Sequence, residues 1–78
     1  MHIKVTSAHV RAARGLLKWT VRDLADKSGV HRNTITKIEA DQAKHAPTIA
    51  AVVRTLEAAG VEFLNGDAPG VRLRKKKR

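Results

Sequence analysis

The chain has no cysteine and no tyrosine, one phenylalanine, one tryptophan and two prolines. Without cysteine there is no disulfide framework, no thiolate chemistry and no Cys-ligated metal. No apolar run approaches the roughly eighteen residues of a spanning helix. The N-terminal MHIKVTSAHV also lacks the apolar block of a signal peptide. A soluble cytoplasmic protein is expected, with no membrane partner. Acids are scarce too: seven Asp and Glu face sixteen Lys and Arg, for a net charge of +9. Six of the positive charges lie in the last seven residues, RLRKKKR, so residues 1–71 carry only the remaining +3. A mildly basic body with a strongly basic end favours a phosphate-rich partner, ahead of acidic protein or membrane surfaces.

The same scarcity argues against an enzyme. The acids are scattered, with Asp23 and Asp26 reading as cap and surface residues of one short helix. The only serines, Ser7 and Ser28, fall at helix ends. There is no Gly-rich phosphate loop, paired-carboxylate cleft or nucleophile–base arrangement. His2, His9, His31 and His45 lack metal-ligand spacing, so neither metal nor other cofactor is expected.

What is present is concentrated in TVRDLADKSGVHRNTITKIEA, from Thr20 to Ala40, which reads as two short helices meeting at a tight turn. Thr20 with Asp23 is a variant capping box. Leu24 and Ala25 supply the inward face of the first helix. Ser28-Gly29 closes it, because glycine enters the left-handed conformation without Cβ strain. Val30 starts the return, and Ile35 and Ile38 point back at the same core. That leaves Arg32, Asn33, Thr36 and Lys37 together on the outward side. Arg can fork onto guanine, Asn onto adenine, while Thr and Lys can grip phosphate or add a base contact.

These residues resemble the helix-turn-helix of the Cro/cI-type (XRE) regulators. The family pattern of a Leu-Ala pair, a Gly-Val turn and Thr-Ile-x-x-Ile-Glu appears as Leu24-Ala25, Gly29-Val30 and Thr34-Ile35-Thr36-Lys37-Ile38-Glu39. Arg14-Gly15-Leu16-Leu17, Trp19-Thr20 and the run from Leu56 to Phe63 are also similar, and the likeness extends from about Val10 to Arg74. It implies a mainly α, lambda-repressor-like four-helix core that binds double-stranded DNA. It further implies an Arg14–Glu39 bridge tying helix 1 to the recognition helix, and a loop, Asp41–Pro47, lying against the DNA backbone. Two positions depart from the pattern. Val21 replaces a phosphate-donating Gln, leaving Arg22 or the helix-start N–H groups to take that contact. His31 replaces a capping Ser or Thr; it is read both as a phosphate contact and as a solvated side chain. Thr34 and Lys44 complete the phosphate candidates.

Along the rest of the chain, Met1–Thr6 reads as a frayed arm. Ser7 reads as the N-cap of a helix running to about Leu17, in which Gly15 costs roughly 1 kcal/mol relative to Ala; close packing against a neighbour would explain it. Trp19 reads as a core-rim residue in preference to a base-stacking one. Thr48 is expected to cap a fourth helix whose Ile49, Val52, Val53 and Leu56 form an apolar stripe, ended by Gly60. Val61–Leu64 and Val71–Arg74 have strand character and flank a run of turn formers, predicting a hairpin over 61–74. Two strands alone are marginal and leave open edges, so pairing with a copy across a two-fold is the preferred use. Residues 1–74 thus form one domain, and Lys75–Arg78 a basic flexible tail able to add salt-sensitive phosphate affinity.

The expected protein is a sequence-specific DNA-binding regulator, a homodimeric repressor on an inverted repeat, associated with the nucleoid. Two alternatives stand beside it. One is an antitoxin that binds a toxin protein and represses its own operon; the other is a weakly specific nucleoid-type protein.

Overall fold

The computed structural model describes residues 5–42, 45–64 and 70–74. The expectations for Met1–Lys4, Lys44, the hairpin turn 65–69 and the tail Lys75–Arg78 lie outside the described residues. Four helices, α1 (Ser7–Leu17), α2 (Val21–Ser28), α3 (Arg32–Glu39) and α4 (Ala46–Ala58), precede two strands, β1 (Val61–Leu64) and β2 (Gly70–Leu73). The architecture is the mainly α one expected, with a C-terminal antiparallel hairpin.

Each inward stripe meets the others at one core. Val10 and Ala13 from α1, Leu24 from α2, Ile35 and Ile38 from α3, and Val52 and Leu56 from α4 are buried, together with Val61 and Phe63 from β1. Ile49 and Val53 sit at its margin, as do Leu17 and Trp19. Complete burial of one such aliphatic side chain is worth about 1.5–3 kcal/mol, so this shared core, and no single helix, holds the short elements in place.

Several helix ends differ from the sequence reading. The N-cap of α1 is Thr6, not Ser7. The Thr6 hydroxyl accepts from the His9 backbone N–H at 3.3 Å, and the His9 Nδ1 accepts from the Thr6 N–H at 3.1 Å. Histidine here fills the place that Glu or Gln takes in a capping box. Val5 also packs against the core, within the Met1–Thr6 arm where fraying was expected. Helix α4 starts at Ala46, ahead of Thr48, because Pro47 lies in the first turn, where its missing N–H costs nothing. Thr48 instead places its hydroxyl 2.9 Å from His45 Nδ1. Gly15 is exposed, and nothing lies within 4 Å of where a Cβ would sit. Close packing is therefore not the reason for that glycine.

The hairpin pairs Val61 with Leu73, Glu62 with Arg72, Phe63 with Val71 and Leu64 with Gly70. Val61 and Phe63 face the core; on the opposite face Arg72 Nε donates to Glu62 Oε1 at 2.6 Å. Helix α1 packs on β2 and α4 on β1. His9 ties α1 to β1. With Nδ1 accepting, its neutral ring carries the proton on Nε2, which meets the Leu64 carbonyl at 3.3 Å. The same ring stands edge-on to Phe63, with centroids 6.1 Å apart. That contact satisfies a buried polar side chain and seats the hairpin in one step.

Candidate nucleic-acid interface

Helix α2 opens on the reciprocal bonds of Thr20 and Asp23, at 2.9 and 3.0 Å. It closes on Gly29 at φ 76°, whose N–H returns to the Ala25 carbonyl. The left-handed residue turns the chain sharply enough for α3 to begin three residues later. Ile35 is fully buried and Ile38 nearly so, which fixes the rotation of α3 about its axis. Arg32, Asn33, Thr36 and Lys37 are consequently all exposed, on one side of one rigid helix. Thr34 is half-buried nearer the helix start.

Helix α3 is held at its far end by two arginines of α1. Arg14 closes a two-point bond on the Glu39 carboxylate, Nε to Oε2 at 2.8 Å and Nη2 to Oε1 at 2.9 Å. Its remaining guanidinium nitrogen, Nη1, donates to the Trp19 carbonyl at 3.1 Å. The hydrogen bond to Glu39 raises the Arg14 pKa above its already high ordinary value, against a smaller opposing effect of burial. Arg11 donates to the Glu39 backbone carbonyl, placing a cation at the negative end of the α3 dipole. This second arginine was not singled out from the sequence, although its spacing of three from Arg14 puts both on one face of α1.

At the near end, the His31 Nδ1 accepts from the Asn33 backbone N–H at 3.0 Å. The imidazole is thus the N-cap of α3, and its neutral ring carries the free proton on Nε2. His31 is exposed and shares an open cleft with Arg22, Asp26, Gly29 and Arg32, between α2 and the start of α3. The backbone N–H groups of an α-helix start and the positive end of its dipole favour an anion there. Arg22 and Arg32 add positive charge there, and His31 a neutral N–H donor. Trp19 is half-buried at the core margin, with Lys27 Nζ 5.3 Å from its ring centre. Its indole therefore packs within the domain. No cluster of His, Asp and Glu suited to a metal ion occurs among the described residues. Nor is any described helix long and apolar enough to cross a membrane.

The helix-turn-helix family model matches residues 10–64, well over half of the chain. The protein belongs to the helix-turn-helix family of Cro/C1 (XRE) type, and is a DNA-binding transcription regulator of that class. No individual curated protein matches it significantly.

Proposed function

We propose that this regulator is a repressor that reads an inverted-repeat operator as a homodimer joined through its C-terminal hairpin. The observation that carries the reading is the exposed α3 face of Arg32, Asn33, Thr36 and Lys37 above a buried Ile35–Ile38 anchor. A purely charge-driven binder needs only cations, whereas this face also offers a guanidinium fork and an amide. In this reading Arg32, Asn33 and Lys37 contact base edges, with Thr36 beside them. Arg22, His31, Thr34 and Lys44 contact phosphates. Two copies would set their recognition helices in successive major grooves, about 34 Å apart.

The test is fluorescence anisotropy on the protein's own upstream DNA and on a scrambled duplex at physiological salt. Site-specific regulators bind their sites about 10³-fold or more tighter than other DNA, and a gap of that order is expected. Equal affinities that collapse together with added salt would replace the reading with a nucleoid-type coat protein.

A second reading, an autoregulating antitoxin, draws support from an open groove away from α3. It lies between α2 and α4 and is lined by Trp19, Lys27, Arg54, Ala58 and Ala59. Such a groove suits an acidic partner protein. A toxin-like gene next to this one, whose product co-purifies with the protein, is the expected result under that reading.

A further inference from the structure

Two arginines stand one turn apart on α1, and the structure uses them differently. Arg14 gives Nη1 to a backbone carbonyl, that of Trp19, and lays its Nε–Nη2 edge on the Glu39 carboxylate. Arg11 also gives Nη1 to a backbone carbonyl, that of Glu39. Its Nε–Nη2 edge, the one with which Arg14 grips an anion at two points, meets no acceptor among the described residues. No described carboxylate pairs with Arg11 either. Because Arg14 neutralises Glu39, Arg11 keeps an uncompensated positive charge.

Arg11 is exposed, yet it is not loose. The bond to Glu39 removes part of the rotamer freedom of a surface arginine, so a second partner orders it at a lower entropic cost. The guanidinium edge left open is planar and matches the oxygens of a carboxylate or phosphate. Its neighbours on the helix surface are Ser7 and Ala8 one turn before and Gly15 one turn after, with Ala12 beside it. None carries a long side chain, and α1 contains no acid. Nothing lies within 4 Å of the Cβ position of Gly15. The approach to Arg11 along α1 is therefore low and free of negative charge, which suits a bulky, rigid polyanion.

We propose that Arg11 is a phosphate-binding residue, joining the DNA backbone to the far end of α3 through a single guanidinium. The proposal deepens the DNA-binding reading above and rests on it. Arg22, His31 and Arg32 gather at the start of α3. Arg11 acts at the other end of that eight-residue helix, roughly 10 Å further along at 1.5 Å per residue. That span is comparable to the major groove, which is about 12 Å wide. A helix anchored to backbone at one end can pivot there. Anchored at both ends, it presents Arg32, Asn33, Thr36 and Lys37 to the base edges in one register.

R11Q tests this, because it removes the charge and the fork while leaving an amide donor. Its affinity should fall by the same factor on operator and scrambled duplex, about threefold to tenfold, and its salt slope should flatten by about one. A loss of thermal stability with an unchanged salt slope would make Arg11 an internal strut and overturn the proposal. A12E is the second variant: it alters an exposed residue outside the core and adds a negative charge beside the approach. It should unfold close to the wild-type temperature and weaken both duplexes about tenfold; wild-type binding would overturn the proposal. Neutral methylphosphonates placed one at a time along the operator locate the contact. At one position per half-site they should weaken the wild type and not weaken R11Q further. An equal response of both proteins at every position would overturn a direct contact. If the wild type binds operator and scrambled duplex equally, the sequence-specific reading falls, while the R11Q salt slope still decides the role of Arg11.

Discussion

The guanidinium of Arg14 and the carboxylate of Glu39 meet at 2.8 and 2.9 Å, joining the first helix to the last residue of the recognition helix. Only 9% of the Glu39 side chain is exposed, against 24% for Arg14. Removing the arginine strands a carboxylate that water barely reaches. R14A is expected to cost about 2–3 kcal/mol in urea unfolding, and E39Q about half that, because the amide still accepts one bond. Because the Arg14 pKa is raised, its contribution is complete at every pH below arginine's ordinary value and is lost only as pH rises from there through the raised one. The deficit of R14A should therefore not vary with arginine ionisation near neutrality. Base preference at low temperature should be unchanged, since neither residue lies on the outward face of α3. A shifted preference would show that the bridge also sets the helix's reading angle.

Arg32 and Arg22 offer contrasting outcomes on the same DNA. R32A should lose about 1–3 kcal/mol on the operator and relax selection at one base position, as loss of a bidentate guanine contact does. R22A should weaken operator and scrambled duplex alike and lower the salt slope by about one. Selection from a randomised duplex pool distinguishes the two. If R32A behaves as R22A is expected to, Arg32 is a phosphate contact.

The Nδ1 of His31 caps α3, and its Nε2 is the proposed phosphate donor. H31D keeps an N-cap acceptor but removes the Nε2 donor and adds a negative charge beside the phosphate candidates. Thermal unfolding should show stability equal to or above that of wild type, while affinity falls about equally on every DNA sequence. H31A loses the cap as well, at a cost of about 0.5–2 kcal/mol in stability. If H31D binds DNA as tightly as wild type, His31 is a cap and nothing more.

One substitution at two glycines should give opposite signs. Gly15 lies in an exposed helical turn with open space around it, so G15A should stabilise by about 0.8–1 kcal/mol. Gly29 also has open space, but its φ of 76° is one that a Cβ disfavours. G29A should destabilise by about 1–2 kcal/mol. Denaturation midpoints of the two variants on either side of wild type are the expected result.

Features legible in the sequence were those whose causes are neighbours in the chain. The Thr20–Asp23 box, the Gly29 turn and the spacing of Ile35 and Ile38 each depend on contacts within a few residues, and each appears as read. The outward set Arg32, Asn33, Thr36 and Lys37 follows from the same periodicity, because burying Ile35 and Ile38 leaves the rest of a short helix nowhere else to face. The Arg14–Glu39 pairing came from family likeness; spacing alone does not join residues on separate helices.

Tertiary structure decided whatever depends on groups far apart in the chain. Thr6 displaces Ser7 as the first cap because His9 can serve it while also reaching Leu64, fifty-five residues away. Gly15 looked like a packing glycine until the surrounding space was seen to be empty. Arg11 became part of the recognition helix's support only when α3 brought the Glu39 carbonyl to it. The hairpin was legible as two strands and a turn, but its seating, with α1 against β2 and α4 against β1, was not. Local pattern selects the elements and their inward faces, because backbone geometry repeats over a few residues. Which groups are left unsatisfied, and so free to bind, is known only once every element has found its neighbour.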